Sequence, residues 1–425
     1  MRSRHRGAIA LACGVILAAP ACAEDPPPLV LDSLVEEASG GTTVPTIDVS
    51  GASVPSVGLD ATVGSGAATT TTAVTITAPP PTSSTIPVIG ADEVVGEAWA
   101  SATANLAGLS SECGNLSFVS APVDADRDLV ITGVAQQGLW ASRDGAEEWT
   151  QLGQGEESAT ITNRTAGIVY DPENPDTFWE TGTYNGAGVY RTDDGGESFV
   201  QLGDIVHIDH VGVDFTDPQR QTLLASVHEQ PQVWRSSDGG ATWQDVSAGL
   251  PEEVGVAAAT YVVDDQVHLL GTRLGTESGV FRTTDAGETW TRVSVNGIIG
   301  APLRVADGTL YWLLDGGEGL ISSTDDGETW EIVGVAPFHP FGASIIDVGD
   351  GRLAALGTAR ILMSAPGGAS WVEIGPPYPF EPNGLAYSPA RNAFYVWKFD
   401  CNATGSNDVP EDAIVTVEFA AADPS

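Results

Sequence analysis

The chain has 425 residues and a formal charge of −40, from 57 acidic against 17 basic residues, and Lys398 is its single lysine. That balance excludes nucleic-acid binding, which needs a basic footprint to release phosphate counterions, and disfavours adhesion to an anionic membrane surface. With 50 glycines, 27 prolines, 11 tryptophans and no long helix-forming tract, the composition favours a turn-rich all-β protein, soluble outside the cell.

Residues 1–22 read as an export signal. MRSRHRG is basic, and AIALACGVILAAPAC is apolar but too short for a stop-transfer helix. Two cleavages fit. Ala19-Pro20-Ala21 before Cys22 resembles a bacterial lipobox and would leave Cys22 as a lipidated N-terminus, whereas Ala21-Cys22-Ala23 suits an ordinary signal peptidase. A long tether follows, which favours the lipoprotein: membrane contact would then run only through the lipid. Residues 23–92 form that tether, with DPPPL, ATTTTAV and TAPPPTSSTIP and scarcely an aromatic. Such a tract cannot bury enough apolar surface to offset its ordering entropy, so a disordered stalk is expected. Residues 93–112 are set apart as a lead-in. Either cleavage leaves Cys113 and Cys401 as candidate disulfide partners near the two ends of the folded region, as an oxidising compartment would allow.

From residue 113 to 425 the pattern repeats. Aligned on an aromatic, the units fall at Trp149, Phe199, Trp243, Trp290, Trp330 and Trp371, spaced by 50, 44, 47, 40 and 41 residues. Each unit holds short β-type runs broken by turns, as in TAGIVYDP, DTFWETGT, GAGVYRTDD and ESFVQL. Four strands per 40–50 residues is the signature of a propeller blade.

The phrase before each aromatic resembles the Asp-box, or bacterial neuraminidase repeat, S/T-x-D-x-G-x-S/T-W/F. Full matches begin at Thr192, Ser236, Thr283 and Ser323, which places their aspartates at Asp194, Asp238, Asp285 and Asp325. The first copy, around Asp144, lacks the fifth-position glycine and the seventh-position hydroxyl; the sixth has Pro366 in place of the aspartate. The carboxylate suits a tight turn between a blade's third and fourth strands, where it accepts backbone N–H bonds, glycine takes positive φ, and the aromatic packs over its own turn or against the next blade. Repetition in every unit makes these residues structural. NGLAYSP, AFYVWKFD and DAIVTVEF add three strands after the last box, and a fourth drawn from near Cys113 would complete a seventh blade. Seven blades are therefore expected, with six the alternative, and a Cys113–Cys401 bridge would clasp the seam.

The resemblance implies either an enzyme, as in sialidases and xyloglucan-type glycoside hydrolases, or a binder, as in sortilin-type receptors and photosystem II assembly factors. Phrases such as DPENPDTFW stand closer to the second group and the xyloglucanases than to sialidases, whose FRIP-like phrase is missing and whose arginine triad could be recruited only from Arg164, Arg273 and Arg304, since most other arginines sit beside the boxes. Function should therefore lie in the unrepeated loops that join fourth to first strands and second to third. Those loops supply Glu156, Glu157, Glu180 with Tyr184, Asp209, His228 with Glu229, Asp315 with Glu318, and Glu381. His207, Asp209 and His210 offer metal-type side chains, but strand alternation divides them between two faces, so neither metal nor cofactor is expected. APFHPFG and GPPYPFEP place Phe338, His339, Tyr378 and Glu381 at neighbouring blade junctions, where aromatics either stack on sugars or plug the channel. The resulting expectation is an exported, monomeric propeller, in the envelope or secreted, with Tyr184, Asp209, Phe338, His339, Tyr378 and Glu381 as ligand candidates. Its partner would be an extracellular protein or carbohydrate. A two-carboxylate or sialidase-like glycoside hydrolase is the alternative.

Overall fold

The computed structural model describes Gly96, residues 98–112, 116–399 and 407–419. The expected export signal, the 23–92 tether, Cys22, Cys113 and Cys401 lie outside these residues. Seven antiparallel four-stranded sheets are arranged as the blades of one propeller. The first six blades run Leu116–Gln151, Arg164–Gln201, Ile208–Asp245, Val256–Ser294, Ile298–Gly334 and Ile345–Ile374 in chain order. The described residues hold no α-helix, only short 3₁₀ turns.

Second strands carry the burial. Val130–Val134, Phe178–Thr183, Leu223–Val227, Leu310–Leu314 and Ala393–Trp397 are buried at every residue, so both faces of these strands are covered. Fourth strands such as Val200–Gln201 and Gln244–Asp245 are short and exposed. The buried apolar side chains divide into seven clusters, and each one fills a different gap between neighbouring blades. No blade can cover its own faces, so burial of this kind closes the ring.

The seventh blade joins the two ends of the domain. Gly384–Ser388, Ala393–Trp397 and Ile414–Glu418 pair in order, and Ala100–Ser101 completes the sheet against Ile414–Glu418, with Ala100 opposite Thr416. The closing strand thus comes from the segment read as a lead-in, not from near Cys113. Ala102 and Leu106 enter the cluster between blades seven and one, which holds this short strand in place.

Each repeated turn is built from its own side chains. Asp325 accepts from Ser323 Oγ (2.8 Å), the Thr329 N–H (2.9 Å) and Thr329 Oγ1 (2.6 Å), and Asp194, Asp238 and Asp285 do the same in their blades. Asp144 bonds Ser142 Oγ and the N–H groups of Glu147 and Glu148 instead, while Ala146 occupies the left-handed position (φ 70°) that glycine holds elsewhere. At the sixth copy Ser364 Oγ accepts from the Leu353 N–H, and Gly367 and Gly368 keep the turn without any carboxylate. The indoles of Trp149, Trp243 and Trp290 donate to Ala102, Leu202 and Val246, on the preceding blade rather than the next. There they supply a donor to carbonyls beside exposed sheet edges. Trp330 and Trp371 bond within their own turns.

Candidate functional site

In an antiparallel meander the loops joining second to third strands and fourth to first strands share one end of the ring. At that end blades two and three enclose a cleft of about 710 Å³. Tyr184 contributes from blade two's loop, His207 from the connection between the blades, and His228 and Glu229 from blade three's loop. Trp234 and Trp243 line it as well.

The mouth of the cleft is a hydrogen-bonded cluster. Tyr184 Oη lies 3.1 Å from His228 Nε2, and His228 Nδ1 lies 2.8 Å from Asp209 Oδ1. The Tyr184 N–H points to His207 Nδ1 at 3.3 Å. Arg164 stacks over the Tyr184 ring, 4.6 Å from its centre, and pairs with Glu112 at 3.0 Å; Asn185 Nδ2 donates to the same carboxylate. Tyr184, Asn185, His207 and Glu229 all hold positive φ, between 53° and 58°, without being glycine. Strain of this kind persists only where the surroundings over-determine it, and it clusters at ligand sites.

Electrostatics assign the protons. Burial opposes a charge on His228, but the hydrogen bond and charge of Asp209, helped by Glu229, outweigh it and raise the imidazole above its ordinary value. Asp209 accepts from Nδ1, which leaves Nε2 to face Tyr184. Burial first, and then the charge of Glu229, keep the Tyr184 phenol neutral. The pair can therefore exchange hydrogen bonds with a ligand hydroxyl or pass it a proton, whereas a phenolate nucleophile is disfavoured.

The structure thus gathers Tyr184 and Asp209 around His228. Glu229 lines the same cleft, and the other ligand candidates sit elsewhere. Phe338 is buried and packs edge-on against Trp371, 5.1 Å between ring centres, in the core between blades five and six. Tyr378 stacks on Trp99 at 6.0 Å, and burial raises its phenol. Both rings are spent largely on packing. His339 is buried as well, with Nε2 2.6 Å from Glu381 Oε1, whose side chain stands 81% exposed. Glu180 lies inside the blade, away from the cleft, with Asn163 Nδ2 at 3.2 Å. His210 turns inward to Thr260, and burial pushes its imidazole down to about 4. No group of three or more His, Cys, Asp or Glu among the described residues is placed to hold a metal ion. Trp234 and Arg164 are the site residues that loop reading passes over, because both belong to strands.

Known proteins resemble this chain in parts. A family model described as a DUF6242 beta propeller domain matches residues 254–397. Xyloglucanase Xgh74A of Acetivibrio thermocellus is 28% identical over 148 residues, 30% of this chain and 17% of that protein. A xyloglucanase of a Paenibacillus species is 26% identical over 149 residues, 30% of this chain and 14% of its own length. The match thus takes in only about a sixth of these curated relatives. Among solved structures, the GH74 xyloglucanase of Xanthomonas campestris shares 19% identity at a TM-score of 0.46, over 75% of this chain and 55% of that one. The extracellular domain of a putative one component system from B. thetaiotaomicron shares 12% identity at a TM-score of 0.53, over 78% of this chain and 44% of that one. At such identities the likeness is one of fold: the chain is a seven-bladed β-propeller, similar over part of its length to xyloglucanases.

Proposed function

We propose that this chain is an exported Asp-box propeller that binds a carbohydrate or extended peptide outside the cytoplasm, in the cleft between blades two and three. The observation that carries the reading is the Tyr184–His228–Asp209 cluster at the mouth of a cleft walled by Trp234 and Trp243. Convergent polar groups beside aromatic faces suit sugar hydroxyls and peptide amides alike. Export fits a structural neighbour that is an extracellular domain. On this reading Cys22 carries lipid and residues 23–92 are a tether holding the propeller away from the membrane. Detergent-phase partitioning that persists in Cys22→Ser would overturn the anchor.

A glycoside hydrolase is the second reading, favoured by the xyloglucanase likeness. It needs two free carboxylates facing one another across a bound sugar. Asp209 and Glu381 are each engaged by a histidine, and Glu112 by Arg164. The deciding experiment is a glycan, peptide and glycosidase panel on the full chain. Binding weakened tenfold or more by His228→Ala and Trp234→Ala, without turnover, supports the module. Turnover abolished by Glu→Gln at a single carboxylate sinks it.

A further inference from the structure

Eight large apolar side chains stand exposed among the described residues, and five of them, Val206, Leu274, Val295, Val335 and Phe341, lie at the cleft end of the ring. Four of the five fall on adjacent blades. Leu274 is in blade four's loop between second and third strands, Val295 in the connection from blade four to five, and Val335 and Phe341 in the connection from blade five to six. Their exposures are 75%, 72%, 74% and 73%. Single exposed hydrophobics are ordinary, whereas several on neighbouring loops call for an explanation.

Hydrogen bonds and close approaches bring these loops together. Arg292 donates to the carbonyls of both Ser278 and Val295, tying blade four's loop to the connection beside it. Asp315 N–H bonds the Gly297 carbonyl at 2.9 Å, and a Cβ on Gly297 would stand 3.8 Å from Arg273 Cα. A Cβ on Gly319 would meet Val335 at 3.8 Å, and one on Gly317 would meet Pro340 at 3.5 Å. The loops that carry Leu274, Val295, Val335 and Phe341 therefore lie side by side.

Leu274 is also held in a costly conformation. Its φ is 63°, in the left-handed region that leucine avoids. The loop is locked there: Gly275 N–H bonds Ser278 Oγ at 2.6 Å, and Glu277 N–H bonds the Glu253 carbonyl at 3.0 Å. An exposed leucine held rigidly in a strained conformation is a preorganised anchor.

We propose that this crest of loops docks an extracellular protein whose contact face carries apolar side chains ringed by lysine and arginine. Charge selects that partner. Glu253, Glu277, Asp315 and Glu318 flank the crest. Of the nearby cations, Arg273 stands 3.8 Å from Asp315, and Arg292 is turned to backbone carbonyls. A second copy of the chain would bring like-charged rims together, and an anionic lipid surface would meet a chain of charge −40.

The probe is an amphipathic peptide of leucine and lysine, with a leucine/glutamate analogue and phosphatidylcholine vesicles as controls, added to the full chain. Binding of the leucine/lysine peptide should weaken at least tenfold in Leu274→Ser/Phe341→Ser. It should stay unchanged in Val123→Ser, an exposed valine at the opposite end. Leu274→Gly relieves the strained φ and should stay folded by thermal melting while losing affinity. Full affinity in Leu274→Gly, equal binding of the glutamate analogue, vesicle co-sedimentation through the crest, or self-association abolished by the double substitution would each overturn the proposal.

Discussion

His228 presents Nδ1 to Asp209 Oδ1 at 2.8 Å, so one carboxylate both orients the imidazole and stabilises its charge. Asp209→Asn removes that charge, and the His228 pKa should fall. The sign follows from linkage: an imidazole raised in the fold adds stability below its unfolded value, and that stability is lost as pH rises through the folded value. Asp209→Asn should therefore destabilise the propeller more at pH 5 than at pH 9. An NMR titration of the His228 ring protons checks the shift, and an unchanged midpoint would show that Asp209 does not govern this histidine.

The Asp325 carboxylate fastens its turn through three short bonds, to Ser323 Oγ, Thr329 N and Thr329 Oγ1. Burial works against its ionisation, yet the bonds from Thr329 and Ser323 prevail and hold it below the ordinary carboxylate range. A depressed carboxyl stabilises the fold above its unfolded pKa, and that contribution disappears as pH falls through the folded value. Asp325→Ala should cost about 1–2 kcal/mol at neutral pH and reduce the acid sensitivity of unfolding. Urea unfolding at pH 7 and at pH 3.5 separates the two effects.

The turn phrase was legible in the sequence because all its partners lie within four residues. Strand count followed for the same reason, since each hairpin is local. Two features were not legible. Ala100–Ser101 is too short to show any period, and its partner Thr416 lies at the other end of the domain. The Tyr184–His228 contact spans 44 residues and depends on how blade two meets blade three. Phe338 and Tyr378 show the converse, because whether an aromatic in a loop is covered depends on the neighbouring segment that packs on it.

Glu180 is fully buried in blade two's second strand, and burial pushes its carboxyl up to about 8 despite the Asn163 bond. The unfolded chain ionises this group near 4.5 while the folded chain keeps it protonated. Stability attributable to Glu180 should therefore fall as pH rises from 4.5 towards 8, with a slope approaching about 1.4 kcal/mol per pH unit. Glu180→Gln should flatten that slope. Chemical denaturation from pH 5 to 8 tests it, and an identical slope in the variant would mean the carboxylate is already ionised in the fold.

Closure of the ring rests on a short segment with dense bonding. Asn105 Nδ2 donates to the Trp149 carbonyl at 2.8 Å, and Asn105 Oδ1 accepts from the Trp149 N–H at 2.8 Å. Thr103 Oγ1 accepts from the Ile414 N–H at 3.0 Å, while the Trp149 indole reaches Ala102. These bonds join blade one to blade seven, so losing them opens the seam, not a single turn. Asn105→Ala strands two backbone groups beside a buried tryptophan and should cost about 1–3 kcal/mol. Removing residues 96–107 bares the Ile414–Glu418 edge and the apolar cluster beneath Leu106, so the truncated chain should aggregate or melt well below the intact one. Size-exclusion chromatography with thermal melting reads both. A truncated chain that stayed monomeric at the original midpoint would show that blade seven needs no fourth strand, and that the cluster between blades seven and one closes the ring by itself.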